Sequence, residues 1–398
     1  MPRREACPYP FEGGPHPLAL GLPYRQLQEK GPVAPVALPG GVEAWLVTGY
    51  EECRTVLQDP AFSRAEADGV APFPVLSGLL LALDGDGHQR IRRVAQRGFS
   101  AGRVAGLRGQ VEGLANELLD DMTGGRGSAD LVHAFALPFA LGTITRILGI
   151  DDADHARIRK WGDGLLASGP DAALRSAAAV EQMSVYVGGL VADRRAGPGD
   201  DLLSEVVSRA DRAGLSDTEL IMLVVALVIA GWETTAAAIA TFTYTLLTLS
   251  TATGRSYYRY LHQHPEMIPS AVEELLRTVP NSRLDSQPRR ALRDVVLGDV
   301  TVRAGDLVIA AQDAAGRDPG VFPDPDGFDI ARNPNPHLAF GHGPHFCLGA
   351  HLGRLELQVA LAALTERLPH LRPAVPVETL EWRTSTMIRC PERFPVTW

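Results

Sequence analysis

The sequence lacks three features that would assign it to a broad class at once: clustered cysteines, an excess of basic residues and a long apolar segment. Its 38 lysines and arginines are outnumbered by 47 acidic residues, and the formal net charge of −9 argues against a general nucleic-acid binder. The four cysteines (Cys7, Cys53, Cys347, Cys390) are widely scattered and form no CxxC pair. This pattern argues against a disulfide framework and indicates a reducing, cytoplasmic location.

The sequence also has little that would hold it in a membrane. The first residues are polar and lead into a Pro/Gly-rich stretch, without the apolar core of a signal peptide. The strongest apolar run, Leu220–Trp232, has thirteen residues, whereas a spanning helix needs about 20. We therefore expect a soluble protein with no membrane partner, in which this run is a helix buried on all sides.

No internal repeat or long linker divides the chain, and no glycine-rich phosphate loop follows a strand. The chain thus lacks a flavin or nicotinamide module of its own. The predicted elements are a hairpin over 32–48, a helix over 51–58, a loop over 66–82, mostly helix from 88 to about 275, a hairpin over 295–311 and one helix after 350. This order predicts a mainly α chain with a minor β region, in a single domain over residues 1–398.

Cys347 lies in the most informative segment, Phe-Gly-His-Gly-Pro-His-Phe-Cys-Leu-Gly over residues 340–349. Its glycines let the backbone approach a flat ligand closely. A helical pattern follows directly, so a thiolate here gains from the helix N-terminus. A lone cysteine is more often a buried structural residue, but the pattern Phe-Gly-x-Gly-x-His-x-Cys-x-Gly fixes six positions within ten. A thiolate at such a turn is a good axial ligand for haem iron.

A second polar signal interrupts the apolar helix. The helix starts at a capping box, Ser216 to Glu219, and runs into Ala-Gly-Trp-Glu-Thr-Thr over residues 230–235. An acid beside an alcohol in mid-helix is locally unfavourable, so it often marks function. Alone, the simpler interpretation would be an exposed Glu233 and an ordinary helical Thr234. Beside the cysteine segment, the functional interpretation is stronger.

Glu274 and Arg277 are three residues apart and share a helix face. Such a pair usually lies on a solvated helix face, where it stabilises the protein by roughly a few tenths of a kcal/mol. This pair lies in an apolar helix that stops at Pro280. We therefore expect it to be buried.

A cluster of basic residues lies at the start of the helical region that is predicted from residue 88. His88 and Arg92 share one face, while Arg90, Arg93 and Arg97 point roughly the opposite way. The three-arginine stripe is either a solvated face, which is commoner, or a landing site for an acidic electron donor.

Together these segments resemble the cytochrome P-450 family over most of the chain. The resemblance implies the P-450 fold, mainly α with a minor β region, and haem b as the cofactor with Cys347 as the ligand of its iron. The cofactor-binding positions that it implies are His88, Arg92, Ala230, Arg289, Phe340, Gly341, His345, Cys347 and Gly349. Arg290 is the alternative to Arg289 if that strand is shifted by one residue.

The resemblance also assigns roles within the two polar signals. Thr234 would hydrogen-bond the oxygen that is activated, Glu233 would help to deliver protons through water, and Gly231 would leave room over the iron. Glu274 and Arg277, with Arg332 from a later loop, would form a structural network behind the haem.

The function that the resemblance implies is monooxygenation of a hydrophobic small molecule, with electrons from ferredoxin and ferredoxin reductase as separate chains. One atom of O2 would enter a C–H bond or an alkene of a secondary metabolite such as a polyketide, a terpene or a cyclic peptide. Three alternatives stay open: oxidative C–C or C–N coupling of an aromatic natural product, peroxide-driven oxygenation, and a non-catalytic haem-binding protein.

By the same resemblance, the substrate pocket draws on five segments: 66–82, 165–185, 226–235, 281–287 and 386–388. The residues predicted to line it are Trp232, Leu284 and Met387.

Overall fold

The structure, a computed structural model, describes residues 6–11, 18–70, 78–125, 127–167, 171–384 and 386–398. These residues form two compact units. The first comprises the described residues up to Gln89 together with Glu273–Cys347, and the second comprises Arg90–Val272 with Leu348–Trp398. The expectation of a single domain over residues 1–398 stays a prediction.

The described part of the chain is mainly helical, as predicted. Its α-helices are α1 (Leu22–Lys30), α2 (Tyr50–Gln58), α3 (Gly85–Gln96), α4 (Ala101–Ala105), α5 (Arg108–Thr123), α6 (Leu137–Leu148), α7 (His155–Leu165), α8 (Ala172–Ala196), α9 (Leu202–Arg212), α10 (Asp217–Thr248), α11 (Tyr257–Gln263), α12 (Ile268–Thr278), α13 (Gln312–Ala315) and α14 (Ala350–Arg367). Its strands are β1 (Cys7–Pro8), β2 (Val33–Leu38), β3 (Val42–Val47), β4 (Phe62–Ser63), β5 (Ser128–Asp130), β6 (Arg289–Ala291), β7 (Val295–Leu297), β8 (Val300–Val302), β9 (Leu307–Ala310), β10 (Arg372–Pro373) and β11 (Pro395–Thr397).

The first unit is built on a mixed six-stranded sheet in the order β1-β2-β3-β9-β6-β4. Strands β2 and β3 form the predicted hairpin, with Val36 opposite Ala44. Its turn uses Gly40 and Gly41, whose φ angles of 81° and 78° favour glycine. Helix α2 buries Cys53 in the core beneath this sheet. The predicted hairpin over 32–48 and the predicted helix over 51–58 are therefore confirmed. Of the hairpin predicted over 295–311, only β7 and β8 pair with each other, whereas β9 joins the six-stranded sheet.

The second unit is a helical body packed around α10, which contacts α6, α8 and α14. A small antiparallel sheet in the order β10-β11-β5 accompanies it. Helix α10 begins at the predicted capping box: Ser216 Oγ accepts from the backbone N–H of Glu219, and the Glu219 carboxylate accepts from the backbone N–H of Ser216. This cap satisfies N–H groups at the helix start that have no intrahelical acceptor.

The length of the apolar helix was underestimated from the sequence. Helix α10 has 32 residues and is long and apolar enough to cross a membrane, although 72% of its most apolar stretch is buried inside the protein. The apolar run does not end at Trp232, because alanines and β-branched residues continue it from Thr235 to Leu246, all buried. The expectation that the run is too short to span is wrong, and burial within the second unit is what characterises this helix.

Candidate active site

The loop that carries Cys347 has a backbone shape that requires glycine. Gly341 and Gly343 have φ angles of 77° and 70°, in the left-handed region. The loop closes through a 2.8 Å hydrogen bond from the Cys347 N–H to the carbonyl oxygen of the half-buried Phe340. Cys347 is exposed, whereas Cys53 and Cys390 are buried. The loop therefore presents this thiol outward from the first unit, and Gly349 follows as the N-cap of α14.

Gly343 is also required by packing. A Cβ atom at this position would lie 2.7 Å from Cα of Gln58 and 2.9 Å from the carbonyl oxygen of Leu57. These are backbone atoms of α2, which cannot move aside as a flexible side chain can. The imidazole of His342 also contacts Gln58, at 3.1 Å from Nε2 to Oε1. Helix α2 thus fixes the base of the cysteine loop.

We expect Gly343→Ala to destabilise the protein more than Gly305→Ala. Gly305 has a φ of 91° but open space around it, so its substitution tests left-handed strain alone. Gly343→Ala adds a clash with backbone, which costs about 1–3 kcal/mol more. Urea unfolding of both variants measures the difference, and equal losses of stability would contradict the packing account.

Asp84 lies among four basic side chains of the first unit: Arg64, His88, Arg289 and His345. His88 and Arg289 are each 1% exposed, and the rings of His88 and His345 lie 4.1 Å apart. His345 Nε2 is hydrogen-bonded to Oδ1 of Asp84 at 3.2 Å. Burial disfavours the Asp84 carboxylate. Hydrogen bonds from His345, from the Ala65 N–H and from the Ser63 hydroxyl outweigh burial and hold the pKa of Asp84 well below its usual value. Asp84 is therefore the anionic centre of this cluster.

Arg289 has two buried guanidinium nitrogens, Nη1 and Nη2, without a hydrogen-bond partner among the described residues. Burial, with the nearby Arg64 as the second cause, holds the pKa of Arg289 well below its usual value. Arg290 instead donates to the carbonyl oxygens of Glu66 and Gly305. The structure thus favours Arg289 over Arg290 as the anion-binding residue of β6.

The residues of the first unit fit haem b. A carboxylate that accepts from Nη1 and Nη2 of Arg289 would satisfy both atoms, which are otherwise costly to bury. Haem b carries two propionates, and His88 and His345 lie in the same basic cluster. Arg92 is half-buried and belongs to the second unit, so its predicted role in cofactor binding stays a prediction.

Arg64 and Asp84 were missed by sequence reasoning. Arg64 directly follows β4, which pairs with β6 so that Phe62 faces Ala291 and Ser63 faces Arg290. This antiparallel pairing joins segments more than 200 residues apart in the sequence. No local pattern reports such a pairing, so the signal was absent from the sequence.

In the second unit, the buried part of α10 contains one small patch of residues that are not fully buried. Between Met222 and Leu246 every residue is buried except Ala230, which is exposed, and Gly231 and Thr234, which are half-buried. Thr234 Oγ1 donates to the carbonyl oxygen of Ala230 at 3.0 Å. Residues 230, 231 and 234 lie on one side of a helix. The patch therefore coincides with the Ala-Gly-x-Glu-Thr-Thr signal.

Gly231 has a packing role in addition to the one expected of it. A Cβ atom there would lie 3.0 Å from Cγ1 of Ile144 on α6. The close approach of α6 to α10 thus favours glycine at this position.

Trp232 points away from the Ala230–Thr234 patch. Successive helical residues are rotated by about 100°, so Trp232 points roughly 150° away from the middle of the Ala230–Thr234 patch. Its indole packs on α7, where a Cβ atom on Gly162 would lie 2.5 Å from Cζ2 of the tryptophan. Helix geometry thus puts Trp232 on the other side of α10 from the Ala230–Thr234 patch, and its place in the substrate pocket stays a prediction.

Glu233 is buried, with 2% of its surface exposed. One carboxylate oxygen, Oε1, accepts from Nη1 of Arg383 at 2.5 Å, and Oε2 has no partner among the described residues. Burial raises the pKa of Glu233, although Arg383 opposes this shift. Arg383 lies in the C-terminal segment, and nothing in the sequence pattern pointed to it.

The structure brings Glu274, Arg277 and Arg332 together in one buried network. Both side chains of the Glu274–Arg277 pair are 0% exposed, and Arg277 binds the carboxylate through two nitrogens at 2.6 and 2.8 Å. Arg332 Nε lies 3.2 Å from Oε2 of Glu274. Asn335 Nδ2 and the Asp329 N–H also donate to this carboxylate. The pair is thus a fully hydrogen-bonded ion network, as the apolar setting of its helix indicated.

The remaining predicted pocket residues belong to different units. Leu284 is buried in the first unit, within the 281–287 segment, and Met387 is half-buried in the second unit. Of the predicted pocket segments, residues 71–77 and 168–170 lie outside the described residues. A common substrate pocket for Leu284 and Met387 stays a prediction.

Comparison with known proteins agrees with the resemblance. The family model for cytochrome P450 matches residues 261–390. The chain is 42% identical, over the full length of both proteins, to mycinamicin IV hydroxylase/epoxidase of Micromonospora griseorubida. It is 40% identical, again over the full length of both, to nocardicin C N-oxygenase of Nocardia uniformis subsp. tsuyamanensis. Among solved structures, the LnmA cytochrome P450 hydroxylase of the leinamycin pathway of Streptomyces atroolivaceus superposes with a TM-score of 0.91 at 41% identity, covering 99% of this chain and 100% of that one.

Proposed function

Because the chain belongs to the cytochrome P450 family and is a monooxygenase, we propose that it inserts one oxygen atom of O2 into a hydrophobic secondary metabolite. The observation that carries the substrate class is full-length similarity to two enzymes whose names give natural products as substrates, mycinamicin IV and nocardicin C. A polyketide, terpene or cyclic peptide fits this class.

Each unit would supply part of the machinery. In the first unit, Cys347 would ligate the iron of haem b, and Arg289, His88 and His345 would hold its propionates. Haem with a thiolate ligand supplies the cleavage of O2. In the second unit, Ala230 and Thr234 would line the space where oxygen reacts.

The protein's own residues would control protons and orientation. The Thr234 hydroxyl can donate one hydrogen bond into the patch when it leaves the Ala230 carbonyl. Glu233 would hold a proton at its carboxylate, close to Thr234 in the chain. The network of Glu274 would keep the first unit rigid and take no part in the chemistry.

Turnover with isotopically labelled O2 tests this function. Purified holoenzyme, ferredoxin, its reductase and a panel of hydrophobic natural products are combined, after a first screen for ligands that shift the Soret band. The expected product carries one labelled oxygen atom. A coupled product that has lost two hydrogen atoms and carries no label, or turnover with peroxide alone, would point to the alternatives.

A ferredoxin donor is proposed to dock on the exposed arginines of the second unit. Arg90 is engaged by an ion pair with Glu219, so the three-arginine stripe is reduced to Arg93 and Arg97, both exposed. We expect Arg93→Glu and Arg97→Glu to raise the apparent ferredoxin KM severalfold, with a wild-type rate that falls as salt increases.

Arg212→Glu, an exposed arginine on α9, serves as the matched control and should leave the KM unchanged. Reduction that is independent of salt, or an equal effect of all three variants on the ferredoxin KM, would contradict the proposed docking site.

Fractionation of the native cells tests the proposed cytoplasmic location.

A further inference from the structure

The Glu233–Arg383 pair joins the middle of α10 to the C-terminal segment of the second unit. The Arg383 side chain is 9% exposed, and Glu233 is 2% exposed. The backbone of Arg383 is fixed as well, because its main-chain N–H donates to the carbonyl oxygen of Cys390 at 2.9 Å. The guanidinium is thus held against one oxygen of the carboxylate.

A crevice in the second unit reaches this pair. Its volume is about 250 Å³, and its lining includes Arg383, Trp232 and Thr386 in the interior and Asp163 and Glu392, both exposed. The buried Nε1 of Trp232 has no acceptor among the described residues. A buried N–H without a protein acceptor is normally satisfied by water. The crevice thus has a largely polar lining, which includes two exposed acids and the counter-ion of Glu233.

We propose that Arg383 is a positioning residue that holds Glu233 in its carboxylate form at this polar crevice. The assignment rests on the proposed function only for its consequence, which is that Glu233 is kept ready to accept and release protons. The ion pair and the crevice themselves are independent of oxygen chemistry.

Charged groups from two parts of the second unit influence the pKa of Glu233. Arg383 comes from the C-terminal segment, while Asp163 and Arg159 come from α7, and these three act on the Glu233 carboxylate. Glu392 lies 3.8 Å from Nε of Arg383. The thiol of Cys390 is also near this group, and burial raises its pKa to about 12, so it is neutral at physiological pH.

The lining of the crevice adds two further basic residues. Arg175 lines it without contacting Glu233, and His133 is paired with Asp130 at 2.8 Å. Arg383 is the cation in direct contact with the Glu233 carboxylate.

Burial and charge together decide in which direction the pKa of Glu233 shifts when Arg383 is removed. Burial is the largest influence and favours the neutral acid, as Asp163 does, whereas Arg383 and the weaker Arg159 favour the carboxylate. Removing Arg383 should therefore raise the pKa of Glu233 further. An opposite charge at this range moves a carboxyl pKa by about 1–3 units, so the midpoint of Glu233 should rise by that amount.

Infrared difference titration of the purified holoenzyme measures this midpoint directly, with Glu233→Gln used to assign the carboxyl signal. In Arg383→Gln the protonated acid band of Glu233 should persist to a pH about 1–3 units higher than in the wild type. Arg383→Lys should restore the wild-type midpoint in large part. Arg175→Gln, which changes a crevice arginine that does not touch Glu233, should have little effect.

Asp163→Asn gives an independent test if Arg383→Gln does not fold. Asp163 is exposed and raises the pKa of Glu233, so its neutralisation should lower the midpoint. The same midpoint in the wild type and Arg383→Gln, or a rise in Asp163→Asn, would overturn the assignment. A shifted midpoint with an unchanged ratio of product to reductant would leave Arg383 assigned and remove Glu233 from the proposed function.

Discussion

Replacing Glu274 by alanine is expected to abolish soluble, haem-loaded protein. The substitution removes the acceptor for Arg277 and Arg332 and leaves the fully buried guanidinium of Arg277 without its counter-ion. Breaking a buried ion pair from one side costs about 3–5 kcal/mol. Because a domain is stable by only about 5–15 kcal/mol, this loss is a large part of the total.

The neighbouring residue provides the control for this prediction. Glu273 side-chain exposure is 27%, and its carboxylate lies 3.0 Å from Nε2 of His337. Glu273→Ala should therefore give a normal yield and normal haem content, while Glu274→Ala gives insoluble or haem-free protein. Equal yields and equal haem content for both variants would mean that the Glu274 network adds no stability.

Thr234→Ala is expected to separate the consumption of reductant from the formation of product. The change removes a hydroxyl and a methyl group at the open patch of α10, so haem content and substrate affinity should stay near wild type. Product formation should fall by about 10²–10⁴-fold, the usual contribution of positioned proton transfer. The electrons should appear in hydrogen peroxide instead.

A second threonine on the same helix gives a matched comparison. Thr241 Oγ1 donates to the carbonyl oxygen of Ala237 at 2.8 Å, as Thr234 does to Ala230, but Thr241 is fully buried away from the patch. Thr241→Ala should keep the wild-type ratio of product to reductant. If Thr234→Ala also keeps that ratio, the substrate itself supplies the proton or the reaction is oxidative coupling.

Features that depend on neighbouring residues were predictable from the sequence. The capping box of α10, the hairpin at Gly40 and the ion pair of Glu274 with Arg277 each follow from spacings of four residues or fewer. The cysteine loop was predictable for the same reason, because its glycines and Cys347 lie within ten residues. Arg332 was assigned only through the family resemblance, since its contact with Glu274 joins distant segments.

Features that depend on long-range packing were not predictable. Arg383 reaches Glu233 from 150 residues away, and β4 brings Arg64 towards β6 by a strand pairing with no local signature. The direction of the Trp232 side chain depends on helix geometry. The sequence showed its neighbours in the motif, but the rotation of about 100° per residue places adjacent helical residues on different sides.

The spectrum of the reduced protein with carbon monoxide tests the central claim most directly, because it reports the ligand of the haem iron. The exposed Cys347, on its glycine-flanked loop, is the proposed ligand. Wild-type protein should show the red-shifted Soret band of thiolate ligation, Cys7→Ala should keep it, and Cys347→Ala should lose it completely. A Cys347→Ala protein that retains the band would contradict the assignment.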